Sequence, residues 1–109
     1  MSQAMIVTTL AAGTAARRRL LSALARGDTV LGVFFFSDGV EAASAQEERH
    51  AWQALARRHR VALILCGASA QRRGLARTGE PPAGFELGQV DRFARLAEQA
   101  DHVDVAGRT

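Results

Sequence analysis

The chain has 109 residues, of which 48% are hydrophobic and 23% are charged. This composition is typical of a globular protein and argues against an intrinsically disordered chain or a disulfide-stapled scaffold. The formal net charge is +3, and all 14 basic residues are arginines. Because the chain has one cysteine, it can form no internal disulfide and no metal site made of cysteines.

This length suffices for a modest core, so we expect residues 1–109 to form a single domain. Residues 1–13 show no basic segment ahead of an apolar stretch, and no apolar run approaches the about 20 residues that cross a bilayer. We therefore expect neither secretion nor membrane insertion, and a cytoplasmic location. We also expect no direct nucleic-acid binding, because the arginines are scattered among acids without interleaved aromatic residues.

The first part of the chain alternates between the patterns of strands and helices. Residues 5–10 form a β-branched run that predicts a strand, and Thr14 follows where it can cap a helix. Residues 15–26 repeat apolar side chains at helical spacing until Gly27, which is a helix stop signal. Residues 29–36 are apolar throughout, as expected for a strand covered on both faces of a sheet.

The second part of the chain continues this alternation. A helix is predicted over residues 42–59, with an inward stripe of Ala45, Trp52, Leu55 and Ala56. The remaining predicted elements are a strand over 61–65, a short helix over 68–73, a loop over 78–84, a strand over 85–87, a helix over 89–100 and a strand over 102–105. The apolar face of the last helix comprises Val90, Phe93, Leu96, Ala97 and Ala100.

Strands and helices that alternate in this way imply a parallel sheet with right-handed crossovers. The predicted fold class is therefore α/β: one doubly wound domain of flavodoxin-like topology, with a mostly parallel sheet of four or five strands and helices on both faces. In such sheets, reactive groups gather at the carboxyl ends of the strands. We expect the turn at Gly13, the turn Ser37-Asp38-Gly39 and Cys66 to meet at this edge.

Cys66 is the candidate for chemistry, because it follows the apolar run 61–65 and precedes small residues that can open a helix. Backbone N–H groups at a helix start, together with Arg72 and Arg73, favour the nucleophilic thiolate, whereas Asp38 would oppose it. Such chemistry requires the thiol to be accessible at the rim of the sheet. A lone cysteine can instead be a small core residue, and arginines at a helix end can simply be solvated.

Histidine is the usual partner of a catalytic cysteine, so the positions of the histidines matter. His59 precedes the third predicted strand and His102 begins the last one, which places both at the amino edge of the sheet. A strand of five residues spans about 17 Å, too far for a hydrogen bond from His59 to Cys66. His50 lies within a predicted helix and is expected to be solvated or packed. We therefore expect no cysteine–histidine dyad within one chain.

Five short segments occur in a characteristic order: FFFSDGV at 34–40, AWQAL at 51–55, VALILC at 61–66, RRG at 72–74 and GFEL at 84–87. Together they resemble the DsrE/TusD family of sulfur-relay proteins over most of the chain. The resemblance implies a DsrE-like sulfurtransferase that carries sulfane sulfur as a persulfide on Cys66. It implies neither a metal nor an organic cofactor. The residues expected to line the site are Gly13, Thr14, Ser37, Asp38, Gly39, Gly67, Ala68, Ser69 and Arg72.

The resemblance also implies protein partners. These are a sulfur donor and an acceptor, the latter a TusE/DsrC-like or TusA-like carrier, within a homo-oligomer or a hetero-oligomer of related subunits. The sulfur would be used for tRNA thiolation or for sulfur oxidation. The segments 40–51 and 74–84 are shorter than those of the tRNA-thiolation members, which leaves the assembly and the acceptor open.

Two other classes of function remain open from the residues. In the first, the protein is a non-catalytic scaffold or a small-anion-binding subunit of the same fold, and Cys66 only fills space. The second, a flavodoxin-like mononucleotide binder, is less favoured because AAGT at 11–14 is neither a Walker loop nor a glycine-rich fingerprint.

Overall fold

Strands and helices alternate along the chain in the computed structural model, which describes residues 1–75 and 80–107. All of the predicted strands and helices are present in these residues, with shifted boundaries. The elements are β1 (Ser2–Val7), α1 (Gly13–Ala25), β2 (Thr29–Phe35), a 3₁₀ helix (Ser37–Ala43), α2 (Gln46–His59), β3 (Leu63–Cys66), α3 (Gly67–Arg72), β4 (Phe85–Gly88), α4 (Val90–Gln99) and β5 (His102–Ala106). The predicted loop 78–84 falls partly outside the described residues.

The strands form a five-stranded sheet in the order β4-β3-β2-β1-β5, and every neighbouring pair is parallel. This arrangement confirms the predicted α/β class and the parallel sheet. The strand order is not the 2-1-3-4-5 order of flavodoxin. Here the chain adds β2, β3 and β4 on one side of β1 and then returns to place β5 on the other side.

The sheet is covered on both faces, as predicted. Right-handed crossovers place α1, α2 and α3 on one face and α4 on the other. Successive side chains of a strand point to opposite faces of the sheet, so two consecutive residues of β2 contact helices on opposite faces. The Phe35 ring meets Trp52 of α2 edge-on at 5.0 Å between centroids, whereas Phe34 meets Phe93 of α4 at 5.3 Å.

The core lies mainly between the sheet and the helices α1 and α2. The predicted inward residues Trp52, Leu55 and Ala56 are all buried. The face covered by α4 is looser, because Phe93 and its apolar neighbours on that helix are only partly buried. Val90, predicted on the apolar face of this helix, is 57% exposed because it begins α4 at the edge of the sheet.

The helix predicted over residues 42–59 is divided into two elements. The 3₁₀ helix ends at Ala43, and Ala45 has an extended backbone before α2 begins. The 3₁₀ helix packs on the end of β1, where a side chain at Gly39 would overlap the Val7 carbonyl group. This close approach requires glycine at position 39 and sets the 3₁₀ helix directly against the end of β1.

Within residues 1–75 and 80–107, no helix combines the length and the apolar character that crossing a bilayer requires.

The start of β1 is tied to the residue that precedes β5. The backbone N–H of Ser2 donates a hydrogen bond to the Asp101 carboxylate at 2.9 Å, and the Ser2 hydroxyl donates to the same oxygen at 3.2 Å. In return, the Asp101 N–H donates to the Ser2 carbonyl at 2.9 Å. The backbone hydrogen bond, followed by the hydroxyl, lowers the pKa of Asp101 from its ordinary value of 3.8.

This contact gives a testable pH dependence. Because the folded-state pKa of Asp101 is depressed, its contribution to stability is present above the unfolded-state pKa and is lost as pH falls through the folded-state pKa. We expect Asp101→Asn to unfold at lower urea than the wild type at pH 7, and the difference to shrink between about pH 5 and about pH 2. Urea titrations across this range measure the effect, with Glu98→Gln as an exposed control. A difference that stays constant with pH would contradict this assignment.

Candidate functional site

Cys66 is the last residue of β3 and the N-cap residue of α3. Its position follows from the sequence, because the apolar strand ends there and Gly67 begins a helix without an intervening loop. In the sheet, Cys66 is paired with Gly88 at the end of β4. Strand alternation places Cys66 on the same face as Ile64, which is the face that carries α4. The predicted position at the carboxyl edge of the sheet is therefore observed.

The expected accessibility of the thiol is wrong for the isolated chain. Cys66 is only 2% exposed and belongs to the hydrophobic core. The physical reason is that α3 starts directly at the strand end, so the cysteine stays within the sheet, paired with Gly88, and its side chain lies on the face covered by α4 instead of standing on a loop. Its side chain makes no capping hydrogen bond to α3.

One hydrogen bond and one ion pair join the 3₁₀ helix to α3 and its C-cap residue. The Ser37 N–H donates to the hydroxyl oxygen of Ser69 at 3.0 Å, and the Arg72 guanidinium donates to the same oxygen at 3.3 Å. Arg73 forms an ion pair with Asp38. The carboxylate expected to oppose the thiolate is therefore paired with a cation, and both arginines engage groups other than the thiol.

The predicted site residues divide into two groups. Cys66 and its expected neighbours lie on β3, α3 and the 3₁₀ helix, and the last two elements contact each other. The members of this first group are Ser37, Asp38, Gly39, Gly67, Ala68, Ser69 and Arg72. Gly13 and Thr14 form the second group at the start of α1, where their neighbours are Arg17 and Glu48. The structure does not bring this group to the cysteine, because β2 separates β1 from β3.

The predicted cap at Thr14 is also wrong. Helix α1 begins at Gly13, so its N-cap is Ala12, which makes no side-chain capping bond. Thr14 is already inside the helix, and its hydroxyl accepts a hydrogen bond from Arg17 at 3.4 Å.

The Glu48 carboxylate occupies the space beside the first residue of α1. Arg17 donates to the two carboxylate oxygens of Glu48 at 2.7 and 3.1 Å, and a side chain at Gly13 would overlap this carboxylate. In mononucleotide-binding folds, the helix after the first strand receives a phosphate at this position. Glu48 therefore occupies the place that a bound phosphate would take, which argues against a mononucleotide binder.

Three residues at the ends of α3 and β4 were not among the predicted site residues. These are Arg73, Gly88 and Gln89. The Gln89 side-chain nitrogen lies 3.8 Å from the point where a β-carbon on Gly67 would stand, so the start of α4 borders the site. Groups at the carboxyl ends of parallel strands gather at one edge of the sheet, and β4 is one of these strands. The same expectation would therefore have identified Gly88 and Gln89.

The histidines lie where the sequence predicts. His59 ends α2, His102 begins β5, and His50 is exposed on α2. Within the described ranges, no group of three or more histidine, cysteine or acidic residues is arranged to hold a metal ion.

Comparison with known proteins relates this geometry to a family. Residues 1–103 match the DsrE/DsrF-like family. A DsrE protein of Allochromatium vinosum is 30% identical, over 79% of this chain and 80% of its own length. A protein of Pseudomonas aeruginosa named as a TusD homologue sulfurtransferase is 34% identical, over 82% and 84%. The crystal structure of the ychN protein from E. coli, at 20% identity, shares the fold with a TM-score of 0.72 over 96% of this chain and 99% of its own. The chain thus belongs to the DsrE/DsrF-like family.

Proposed function

We propose that this protein is a sulfurtransferase that carries sulfane sulfur as a persulfide on Cys66 and passes it to a thiol of a partner protein. The observation that carries the proposal is the position of the single cysteine, at the carboxyl edge of a parallel sheet where a helix begins. Membership of a family whose relatives are named sulfurtransferases supports the same chemistry.

The proposed transfer consists of two displacements at sulfur. In the first, the Cys66 thiolate attacks the outer sulfur of a donor persulfide. A bond forms between the two sulfurs, the sulfur–sulfur bond of the donor breaks, and the donor leaves as a thiolate. In the second, an acceptor thiolate attacks the outer sulfur of the Cys66 persulfide. A bond forms between the acceptor sulfur and this outer sulfur, the sulfur–sulfur bond on Cys66 breaks, and Cys66 is released as a thiolate. The sulfane sulfur keeps its oxidation state throughout, so the transfer needs neither an oxidant nor a reductant.

Burial of the cysteine defines how this transfer must occur. Because Cys66 is 2% exposed, the donor and the acceptor can reach it only after a local opening of its surroundings. The best candidate for this movement is α3, which has only six residues and is held by packing and side-chain links. A closed site would also shield a persulfide from water and stray thiols. Since the chain holds no second cysteine, the persulfide cannot be lost through an internal disulfide.

The proposed partners are those that the family resemblance implies. The donor and the acceptor are separate proteins with a persulfide or a thiol, and the acceptor is a small carrier of the TusE/DsrC or TusA kind. We propose that the protein assembles with copies of itself or with related subunits, in the cytoplasm, where thiols stay reduced. Transfer toward tRNA thiolation and transfer toward sulfur oxidation would use the same step at Cys66.

Intact-mass spectrometry of the folded protein tests the proposal. After incubation with glutathione persulfide in the absence of denaturant, we expect a gain of about 32 Da, the mass of one sulfur atom. Dithiothreitol should remove this mass, and Cys66→Ser should never gain it. Modification only in the urea-unfolded chain would contradict the proposal.

A second candidate function is a non-catalytic subunit that serves as a scaffold in a sulfur-relay assembly. The burial of Cys66 favours it, because a structural cysteine is ordinarily enclosed in this way. The same mass measurement separates the two functions, since a scaffold would show no sulfur gain while folded.

A further inference from the structure

We infer that Ser69 is a positioning residue that keeps the Cys66 site closed by bonding α3 to the 3₁₀ helix. This inference rests on the proposed function and adds the group that controls access to the thiol. Ser69 lies within the first turn of α3, the six-residue helix whose N-cap residue is Cys66. Fixing Ser69 therefore fixes the end of the helix that begins at the cysteine.

The surroundings of Ser69 support this role. Ser69 is 0% exposed and, with Gln3, is one of the two buried polar residues in the described part of the chain. Its hydroxyl oxygen accepts hydrogen bonds from the Ser37 N–H and from Arg72. A buried hydroxyl is costly unless it is bonded, so these partners hold it in one arrangement.

The backbone of Ser37 adds a second reason. Its φ angle is +56°, in the left-handed region that residues other than glycine rarely adopt. Such a conformation persists only when surrounding contacts hold it, and the N–H of this same residue donates to Ser69. Breaking that hydrogen bond releases both Ser37 and α3, which couples the 3₁₀ helix to exposure of the thiol.

The other link between these elements is the ion pair of Arg73 with Asp38. The Asp38 side chain is 58% exposed, and exposed ion pairs contribute little because water and salt screen them. We therefore assign the larger share of the closure to Ser69.

The test is the rate at which iodoacetamide alkylates Cys66 in the folded protein. We expect Ser69→Ala to raise this rate about tenfold, since losing a buried hydrogen bond shifts a local equilibrium by about this factor. Ser44→Ala is the matched control, because its exposed hydroxyl bonds to the Glu41 carbonyl at 3.1 Å, away from α3. Ser69→Thr keeps the hydroxyl and should alkylate more slowly than Ser69→Ala.

A general loss of stability is separated from local opening by repeating the measurement in low urea. If Ser69→Ala acts locally, its faster alkylation has the same shallow urea dependence as in the wild type. A steep dependence, or a rate equal to that of the wild type, would overturn the inference.

A measurement on the wild type covers the case in which Ser69→Ala does not fold. Hydrogen exchange of the Ser37 N–H should then show the same opening equilibrium and urea dependence as Cys66 alkylation, because one movement exposes both groups. Unequal values would overturn the inference.

The inference and the proposed function can fail separately. If the wild type gains sulfur but Ser69→Ala does not change the alkylation rate, the proposed function stays intact and the positioning role is lost. If Ser69→Ala alkylates faster but the wild type gains no sulfur, the positioning role is retained and the proposed function is lost.

Discussion

Replacing Trp52 by alanine is expected to lower the free energy of unfolding by about 3–5 kcal/mol. Trp52 is 0% exposed and is the largest fully buried side chain of the described residues. Its ring meets Phe35 edge-on at 5.0 Å between centroids, and the Arg17 guanidinium carbon lies 5.2 Å from the ring centroid. The substitution removes these contacts and leaves a cavity between α2 and the sheet. Urea unfolding at neutral pH measures the loss.

Trp52→Phe is the matched control for this substitution. Phenylalanine keeps much of the apolar volume and removes the indole N–H, which in the described part of the chain is buried without a hydrogen-bond partner. We therefore expect the control to lose less than half as much stability as Trp52→Ala. A loss below about 1 kcal/mol for Trp52→Ala would show that this residue does not anchor α2.

Alkylation of Cys66 is expected to be at least about a hundredfold slower in the folded protein than in the urea-unfolded chain. The reason is that a thiol with 2% exposure reacts only in the small fraction of molecules that are locally open. Because Cys66 is the single cysteine, the label reports this site alone, and Cys66→Ser provides the blank. Equal rates in the folded and unfolded protein would show that the thiol is not enclosed.

Strands made of apolar residues could be predicted from the sequence. The run before Cys66 and the run 29–36 both identify strands by their apolar character. The beginning of β1 was missed because Ser2 and Gln3 are polar. Their place in the sheet depends on pairing with β2, which a local hydrophobic pattern does not report.

The 3₁₀ helix was not predicted because its cause is a contact between distant parts of the chain. Gly39 lies against the carbonyl of Val7, and Ser37 is bonded to Ser69, which is 32 positions away in sequence. Neither contact has a signature in the residues near Gly39.

The location of the candidate site was predictable, but its closure was not. Topology alone places Cys66 at the carboxyl edge of the sheet, since all parallel strands end there. Burial of the thiol depends on how α3, β4 and α4 pack around the strand end, and these are contacts between elements that a local sequence pattern does not report. The same limit explains why Gly13 was expected beside Cys66, although Glu48 fills the space next to Gly13.

The urea dependence of Cys66 alkylation tests most directly whether the folded protein can present its thiol to a partner. The rate is measured in a series of urea concentrations below the unfolding transition, and its slope is compared with that of global unfolding. A local opening of α3 exposes little surface, so we predict a slope far smaller than the global one. A slope equal to that of global unfolding would contradict a sulfur carrier, because the cysteine would then be reachable only in the unfolded chain.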